Sequence, residues 1–273
     1  MSGDGYSRPA VAGSGTIACS LAAAASALGE VRLLARSDVS AWRAEEAVEG
    51  LAGKVDGAAA SRVKVTTKAA DLTDCDLVVE AIKEDLEAKV ELLSALAEAS
   101  PDADLASTTS SLSIADLATG SGDPERVFGL HVFNPVHRME LVELCLPDDL
   151  RAGVPERVNA WCRALGKTPI VVPDEPGFVV NRLLFPFLFD AVRMLERTGM
   201  SAEDVDSCMT LGTGHPMGPL RLLDFIGLDV AEAIGDALHA DSGEPGHRPP
   251  GRLVEMVGGG RLGRKSDAGF YDY

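Results

Sequence analysis

Residues 9–28 constrain the fold of this chain more than any other stretch. Pro9-Ala10-Val11-Ala12 reads as a short buried strand, Gly13-Ser14-Gly15-Thr16-Ile17-Ala18 as a glycine turn, and Cys19 to Leu28 as a helix. Strand, glycine turn and helix in that order form the context of a dinucleotide-binding fingerprint. Gly13 would allow the tight turn, Gly15 would let the backbone approach a pyrophosphate, and Ala18 in the third position still packs closely on the strand. The helix start adds amide donors and the positive end of a dipole, so Thr16 and Ile17 are candidate contacts as well. The same residues would also serve as a plain turn between buried elements, and the segments that follow discriminate between the two. The alanine-rich run from Ala10 to Leu28 lacks a basic leader and is broken by glycine and serine, unlike a secretory signal.

Glu30 to Ala35 reads as a second strand. An NAD-specific site places Asp or Glu at the end of that strand for the ribose hydroxyls. Ala35-Arg36-Ser37 stands there instead. An arginine beside a hydroxyl suits a 2′-phosphate, and no acid is present to repel it. NADP is therefore the expected cofactor, with NAD as the alternative, and Arg36 and Ser37 join the candidate contacts. The plainer reading is an arginine that faces solvent at a strand end.

Strands and helices continue to alternate. A helix is expected over Ser40 to Leu51, a strand over Arg62 to Thr67, a continuously apolar buried strand over Asp76 to Ile82, and a helix over Glu84 to Glu98. Asp104 to Ala106 begins a strand that runs into Ser107-Thr108-Thr109-Ser110-Ser111-Leu112-Ser113. Such a hydroxyl cluster lies at the carboxyl edge of the sheet, where ligands of open α/β sheets bind. One of its hydroxyls is also expected to cap the helix Ile114 to Ala118. A strand over Val127 to His131, a helix over Pro155 to Leu165 and a strand over Thr168 to Val172 complete the pattern of a Rossmann-type, doubly wound, mainly parallel α/β sheet. After Pro173-Asp174-Glu175-Pro176-Gly177, apolar residues recur only at helical spacing, with helices expected over Val180 to Arg197, Ser201 to Leu211 and Leu220 to Ile234. The chain thus divides into a dinucleotide-binding domain, residues 1–175, and an all-helical substrate and dimerisation domain, residues 176–273. His215 and His247 stand among Pro and Gly and read as loop residues.

His131 and Glu143 share one short segment. Asn134-Pro135 interrupts it, because proline restricts the residue before it and cannot donate to a ladder. A strand ending near Phe133 and another from Met139 to Cys145 would return Glu143 to the side of His131. That pairing is the raw material of a general base with an orienting carboxylate, although His and Glu also co-occur by chance.

The formal charge of −17, from 25 basic and 42 acidic residues, argues against nucleic acid and anionic membrane partners. Any anionic ligand must be met by local donors. Cys19, Cys75, Cys145, Cys162 and Cys208 are odd in number and form no CxxC pair, so neither a disulfide framework nor a zinc site is indicated. A reducing cytoplasm fits that usage.

Seven ordered blocks carry a family resemblance: GSGTIA at 13–18, DLVVEAIKEDLEAK at 76–89, STTSSLSI at 107–114, GLHVFNPVHRMELVE at 129–143, PGFVVNRLL at 176–184, LGTGHPMGPLRLLDFIGLD at 211–229 and GRKSDAGFYDY at 263–273. Together they resemble the L-3-hydroxyacyl-CoA dehydrogenase family, including bacterial 3-hydroxybutyryl-CoA dehydrogenases. The resemblance implies that His131 is the base acting on the substrate hydroxyl, with Glu143 as its orienting carboxylate. Ser110 and Asn181 match positions that hydrogen-bond the reacting oxygen. Glu84 and Lys89 match a segment facing the cofactor and the acyl carrier, and Thr108 and Asn134 complete the expected cofactor contacts. The substrate implied is an (S)-3-hydroxyacyl thioester, short-chain acyl-CoA first, and the implied assembly is a homodimer.

Three departures stand out. Thr108 replaces the usual Asn, Ala35-Arg36 replaces the usual Asp, and the segment before the Asp76 strand is short where the family carries a helical hairpin that clamps CoA. The shortened clamp suits an acyl-carrier-protein thioester as the rival substrate, in polyketide extender-unit chemistry. A non-catalytic, crystallin-like dinucleotide-binding protein is the rival from another class, opposed by the joint presence of His131, Glu143, Ser110 and Asn181.

Overall fold

The computed structural model describes residues 5–273, and the chain separates into two compact units at the junction of Glu175 and Pro176. The strands of the first unit are β1 (Pro9–Ala12), β2 (Val31–Leu34), β3 (Val63–Thr66), β4 (Leu77–Glu80), β5 (Asp104–Ser107), β6 (Val127–Val132), β7 (Leu141–Cys145) and β8 (Thr168–Val172). Its α-helices are α1 (Thr16–Ala25), α2 (Asp38–Ala52), α3 (Leu86–Ala99), α4 (Ile114–Ser121) and α5 (Val154–Ala164). The strands form one sheet in the order β3-β2-β1-β4-β5-β6-β7-β8. All neighbours are parallel except β6 and β7, which run antiparallel. Strand order reverses between β1 and β4, so a crevice opens beyond the carboxyl ends of the strands at that point.

Every residue of β1, β4 and β5 is buried, as strands covered on both faces require. Val11, Leu33, Val79, Phe128 and Leu130 share one core with residues of α1, α2 and α5. The intervening positions therefore point to the other face. On that face Gly129 lies against Ile114 of α4, and His131 stands two residues further along β6.

The expected elements are present with shifted ends. Helix α1 starts at Thr16, three residues before the expected start, with Gly15 as an N-cap that has no side chain to offer. The amides of its first turn are left to other partners. Ser113 is the hydroxyl that caps α4, accepting from the Asp116 amide at 3.2 Å. Asp174, just past β8, completes that cap by accepting from the Ile114 and Ala115 amides, both at 2.8 Å.

The second unit is helical: α6 (Val180–Thr198), α7 (Ala202–Thr213), α8 (Pro219–Ile226), α9 (Leu228–Ser242) and α10 (Gly251–Gly258). The single helix expected over Leu220 to Ile234 is two helices. Gly227, at φ 104°, leaves the helical region between α8 and α9, and the Leu228 amide turns away to the Leu262 carbonyl. Two buried carboxylates fasten this unit. Asp206 accepts from the amides of Leu220 and Arg221 and from the Tyr271 hydroxyl, while Asp224 accepts from the amides of Phe270 and Tyr271. Residue 269 must be glycine for that closure, since an added Cβ would stand 2.0 Å from the Asp224 carboxylate. Among the described residues, no helix is long and apolar enough to cross a membrane.

Gly13 holds φ +144° while its amide donates to the Leu34 carbonyl at 2.9 Å, and a Cβ there would stand 2.3 Å from the Ala81 carbonyl oxygen. Gly13→Ala is expected to cost at least about 1–3 kcal/mol from backbone strain alone. A urea unfolding midpoint unchanged from the parent chain would show that the turn accepts a side chain.

Candidate active site

The glycine turn forms one wall of a cleft of about 760 Å³, with Ser14, Gly15, Thr16, Ile17, Arg36 and Ile82 among its lining residues. Gly15 is open above its Cα, since a Cβ placed there would meet nothing within 4 Å. Open backbone at the head of a helix with no side-chain cap is the geometry that admits a pyrophosphate. Ala35 is buried and Arg36 is exposed at the mouth of the cleft. Ser37 has a structural duty as the N-cap of α2, where it forms a reciprocal capping box with Ser40. The cleft, the glycine cradle and Arg36 together suit a dinucleotide.

Beyond the carboxyl end of β4 lies a polar network centred on Glu80, which the sequence did not single out. Glu80 closes an otherwise apolar strand and is fully buried. Its Oε1 accepts from the Ile82 amide at 2.7 Å and from Lys89 Nζ at 2.8 Å, and its Oε2 accepts from Ser107 Oγ at 2.6 Å. Lys89, expected to face the cofactor, has its ammonium shielded instead, because α3 turns that residue inward onto Glu80. The same ammonium lies 3.4 Å from Glu84 Oε2.

Glu84 carries the network outward. Its Oε1 accepts from Thr109 Oγ1 at 2.7 Å, from the amides of Ser110 and Ser111 at 2.8 and 2.9 Å, and from Ser111 Oγ at 3.0 Å. Ser110 Oγ donates to it at 3.3 Å. Desolvation would raise its pKa, but the charge of Lys89 and the donors from Thr109, Ser110 and Ser111 outweigh burial and hold the carboxyl below its ordinary range. Glu84 is therefore ionised at neutral pH and organises the hydroxyl cluster. Thr108 is anchored through its amide to the Glu80 carbonyl at 3.0 Å.

His131 and Glu143 are directly opposite in the β6–β7 register. Nδ1 of His131 is 2.7 Å from Oε2 of Glu143, and both residues are buried, at 6% and 2% exposure. A carboxylate can only accept, so Nδ1 carries the proton that the contact needs, and proton exchange with a substrate falls to Nε2. Phe133 tilts against the imidazole at a centroid distance of 4.5 Å. Asn134 is exposed in the turn that follows. Asn181, also buried, lies in the first turn of α6 in the second unit.

Residues 9–175 match the family model described as 3-hydroxyacyl-CoA dehydrogenase, NAD binding domain, and residues 177–273 match 3-hydroxyacyl-CoA dehydrogenase, C-terminal domain. A probable 3-hydroxybutyryl-CoA dehydrogenase of Deinococcus radiodurans is 45% identical over 213 residues, covering 78% of this chain and 77% of that protein. Among solved structures, FadB2 of M. tuberculosis aligns with a TM-score of 0.93 at 38% identity, over 98% of this chain and 99% of that one. The (S)-3-hydroxybutyryl-CoA dehydrogenase PaaH1 from Ralstonia eutropha aligns with a TM-score of 0.91 at 36% identity, over 97% of this chain and 98% of that one.

Removing one partner from a buried ion pair leaves the other charge uncompensated. Lys89→Met is expected to lower the unfolding free energy by about 3–5 kcal/mol, and pairing it with Glu80→Gln should recover part of that loss. Urea unfolding of the two single variants and the double variant measures the coupling, and additive losses would mean that the pair does not act as a unit.

Proposed function

The chain belongs to the 3-hydroxyacyl-CoA dehydrogenase family, and from that premise we propose that it interconverts an (S)-3-hydroxyacyl thioester and the corresponding 3-oxoacyl thioester, with short-chain acyl-CoA as substrate. The observation that carries this reading is the 2.7 Å contact between His131 Nδ1 and Glu143, at the carboxyl edge of a dinucleotide-binding sheet. In the oxidative direction Nε2 of His131 removes the 3-hydroxyl proton, and in the reductive direction it returns it. Glu143 holds the ring in the required tautomer and stabilises the imidazolium that forms. Ser110, on the loop that Glu84 organises, would turn its hydroxyl proton from its 3.3 Å contact with Glu84 to the reacting oxygen, and the family pattern assigns Asn181 the same oxygen. The glycine turn and the first-turn amides of α1 would hold the nicotinamide dinucleotide by its pyrophosphate. That cofactor supplies the site for hydride exchange with the substrate carbon.

NADP is the proposed form of the cofactor. Ala35 presents no carboxylate to a 2′-phosphate, and the guanidinium of Arg36 stands at the mouth of the same cleft.

The test is steady-state reduction of acetoacetyl-CoA with NADPH and NADH in parallel. NADPH should be preferred, and Arg36→Asp should move the preference toward NADH; selectivity that does not respond would sink the assignment of Arg36. His131→Ala should lower kcat by roughly 10²–10⁴-fold while dinucleotide affinity stays within about twofold. Loss of dinucleotide binding in that variant would instead mean that the fold depends on the histidine.

A further inference from the structure

The hydrogen bond to Glu143 fixes one atom of the His131 ring and leaves its plane open. A single contact at Nδ1 is a pivot, about which small coupled changes of χ1 and χ2 swing Nε2, and the χ2 torsion of histidine has no steep rotamer well to oppose them. Proton transfer needs Nε2 within hydrogen-bond reach of the reacting hydroxyl, so a rocking ring spends much of its time out of line. Phe133 touches the ring at a second place, with centroids 4.5 Å apart and planes inclined at 57°. Strand alternation puts residues 131 and 133 on one side of the chain, while Val132 between them packs into the core on the other. Phe133 is itself held from both directions. On one side β6 is paired with β7 as far as Val132. On the other, the amides of Arg138 and Met139 close a turn on the Pro135 carbonyl at 2.9 and 3.1 Å, Val136 of that turn is buried in the same core as Val132, and the Lys167 ammonium donates to the carbonyls of Val136 and Met139.

Tilted aromatic rings at this separation attract through their quadrupoles, and the attraction grows when one ring becomes a cation within about 6 Å of the other's centroid. In the oxidative direction His131 becomes that cation when Nε2 takes the 3-hydroxyl proton. We propose that Phe133 is a positioning residue for the base: its ring sets the plane of the His131 imidazole, so that Nε2 meets the hydroxyl in line, and stabilises the imidazolium that forms. The proposal deepens the reading of His131 as the base and rests on it. The two partners divide the task, Glu143 holding the tautomer through one nitrogen and Phe133 holding the plane through a ring contact. Phe133 is half-buried, so an apolar replacement removes the ring and leaves the sheet folded.

Phe133→Leu removes the ring and keeps apolar bulk, Phe133→Met gives the same readout if that variant does not fold, and Phe133→Tyr keeps the ring. In steady-state oxidation of (S)-3-hydroxybutyryl-CoA, kcat should fall roughly tenfold in Phe133→Leu, while KM and the dissociation constants of NADP and NAD stay within about twofold. Phe133→Tyr should hold kcat within about twofold of the parent chain. A second readout needs no substrate. The proton between His131 Nδ1 and Glu143 gives a low-field NMR resonance, assigned by its loss in His131→Ala. It should be sharp in the parent chain and in Phe133→Tyr, and broadened or lost to exchange with water in Phe133→Leu. Unchanged kcat in Phe133→Leu, a loss that Phe133→Tyr shares, a loss matched by weaker substrate or dinucleotide binding, or a Phe133→Leu resonance as sharp as the parent's overturns the positioning role. A parent chain that oxidises no 3-hydroxyacyl thioester, yet loses the resonance when the ring is removed, overturns the dehydrogenase reading and leaves the hold of Phe133 on His131 standing.

Discussion

The buried pairing of Lys89 with Glu80 is the interaction on which the carboxyl edge of the sheet depends. Neither charge is tolerable in that environment alone, and each has its partners within 3.1 Å. The pair joins the end of β4 to the first turns of α3, and through Ser107 it reaches the end of β5. Glu84 extends the same charge pattern one turn outward and gathers the Thr109–Ser111 loop onto a single carboxylate oxygen. The hydroxyl cluster is thereby held by electrostatics that originate in the core, where water does not weaken them.

The base is positioned by a different device. In a mainly parallel sheet, residues twelve apart in sequence do not meet without a crossover helix. The single antiparallel pair, β6 with β7, brings His131 and Glu143 into direct register after a short turn. Side-chain direction alternates along a strand, so a slip of one residue in that register would point Glu143 to the opposite face. Core residues on both strands, Leu130 and Val132 on β6 and Val142 and Leu144 on β7, fix the register from the other side.

Charge divides the same edge into zones. With a net charge of −17, the chain repels phosphates at long range, and the regions able to receive them are local. The glycine turn offers amides rather than side chains, and Arg36 adds a cation at the mouth of the cleft. Glu80, Glu84 and Glu143 on the same edge are turned inward, to Lys89, to the hydroxyl loop and to His131.

Much of this was legible in the chain itself, because period and turn chemistry are local properties. The alternation of strands and helices, the loss of strand pattern after Pro176, the glycine fingerprint, and the return of Glu143 toward His131 across Asn134-Pro135 all follow from neighbours in sequence. So does the cap at Ser113. Other features were decided only by tertiary structure. Lys89 has the sequence context of a surface residue on an amphipathic helix, and its burial follows from where α3 docks against β4. Glu80 looked like the polar end of an apolar strand until Ser107 and Lys89 closed on it. Gly227 sits in a helical pattern that gives no sign of a break, and the Leu262 carbonyl, 34 residues on, receives the amide that the break releases. Asp174 caps a helix 60 residues earlier in the chain. The sequence by itself determined the elements and the candidate base, since those depend on side-chain period and backbone preference. Tertiary structure decided which charges are buried together, since the energy of an ion depends on solvent and partners that no local pattern records.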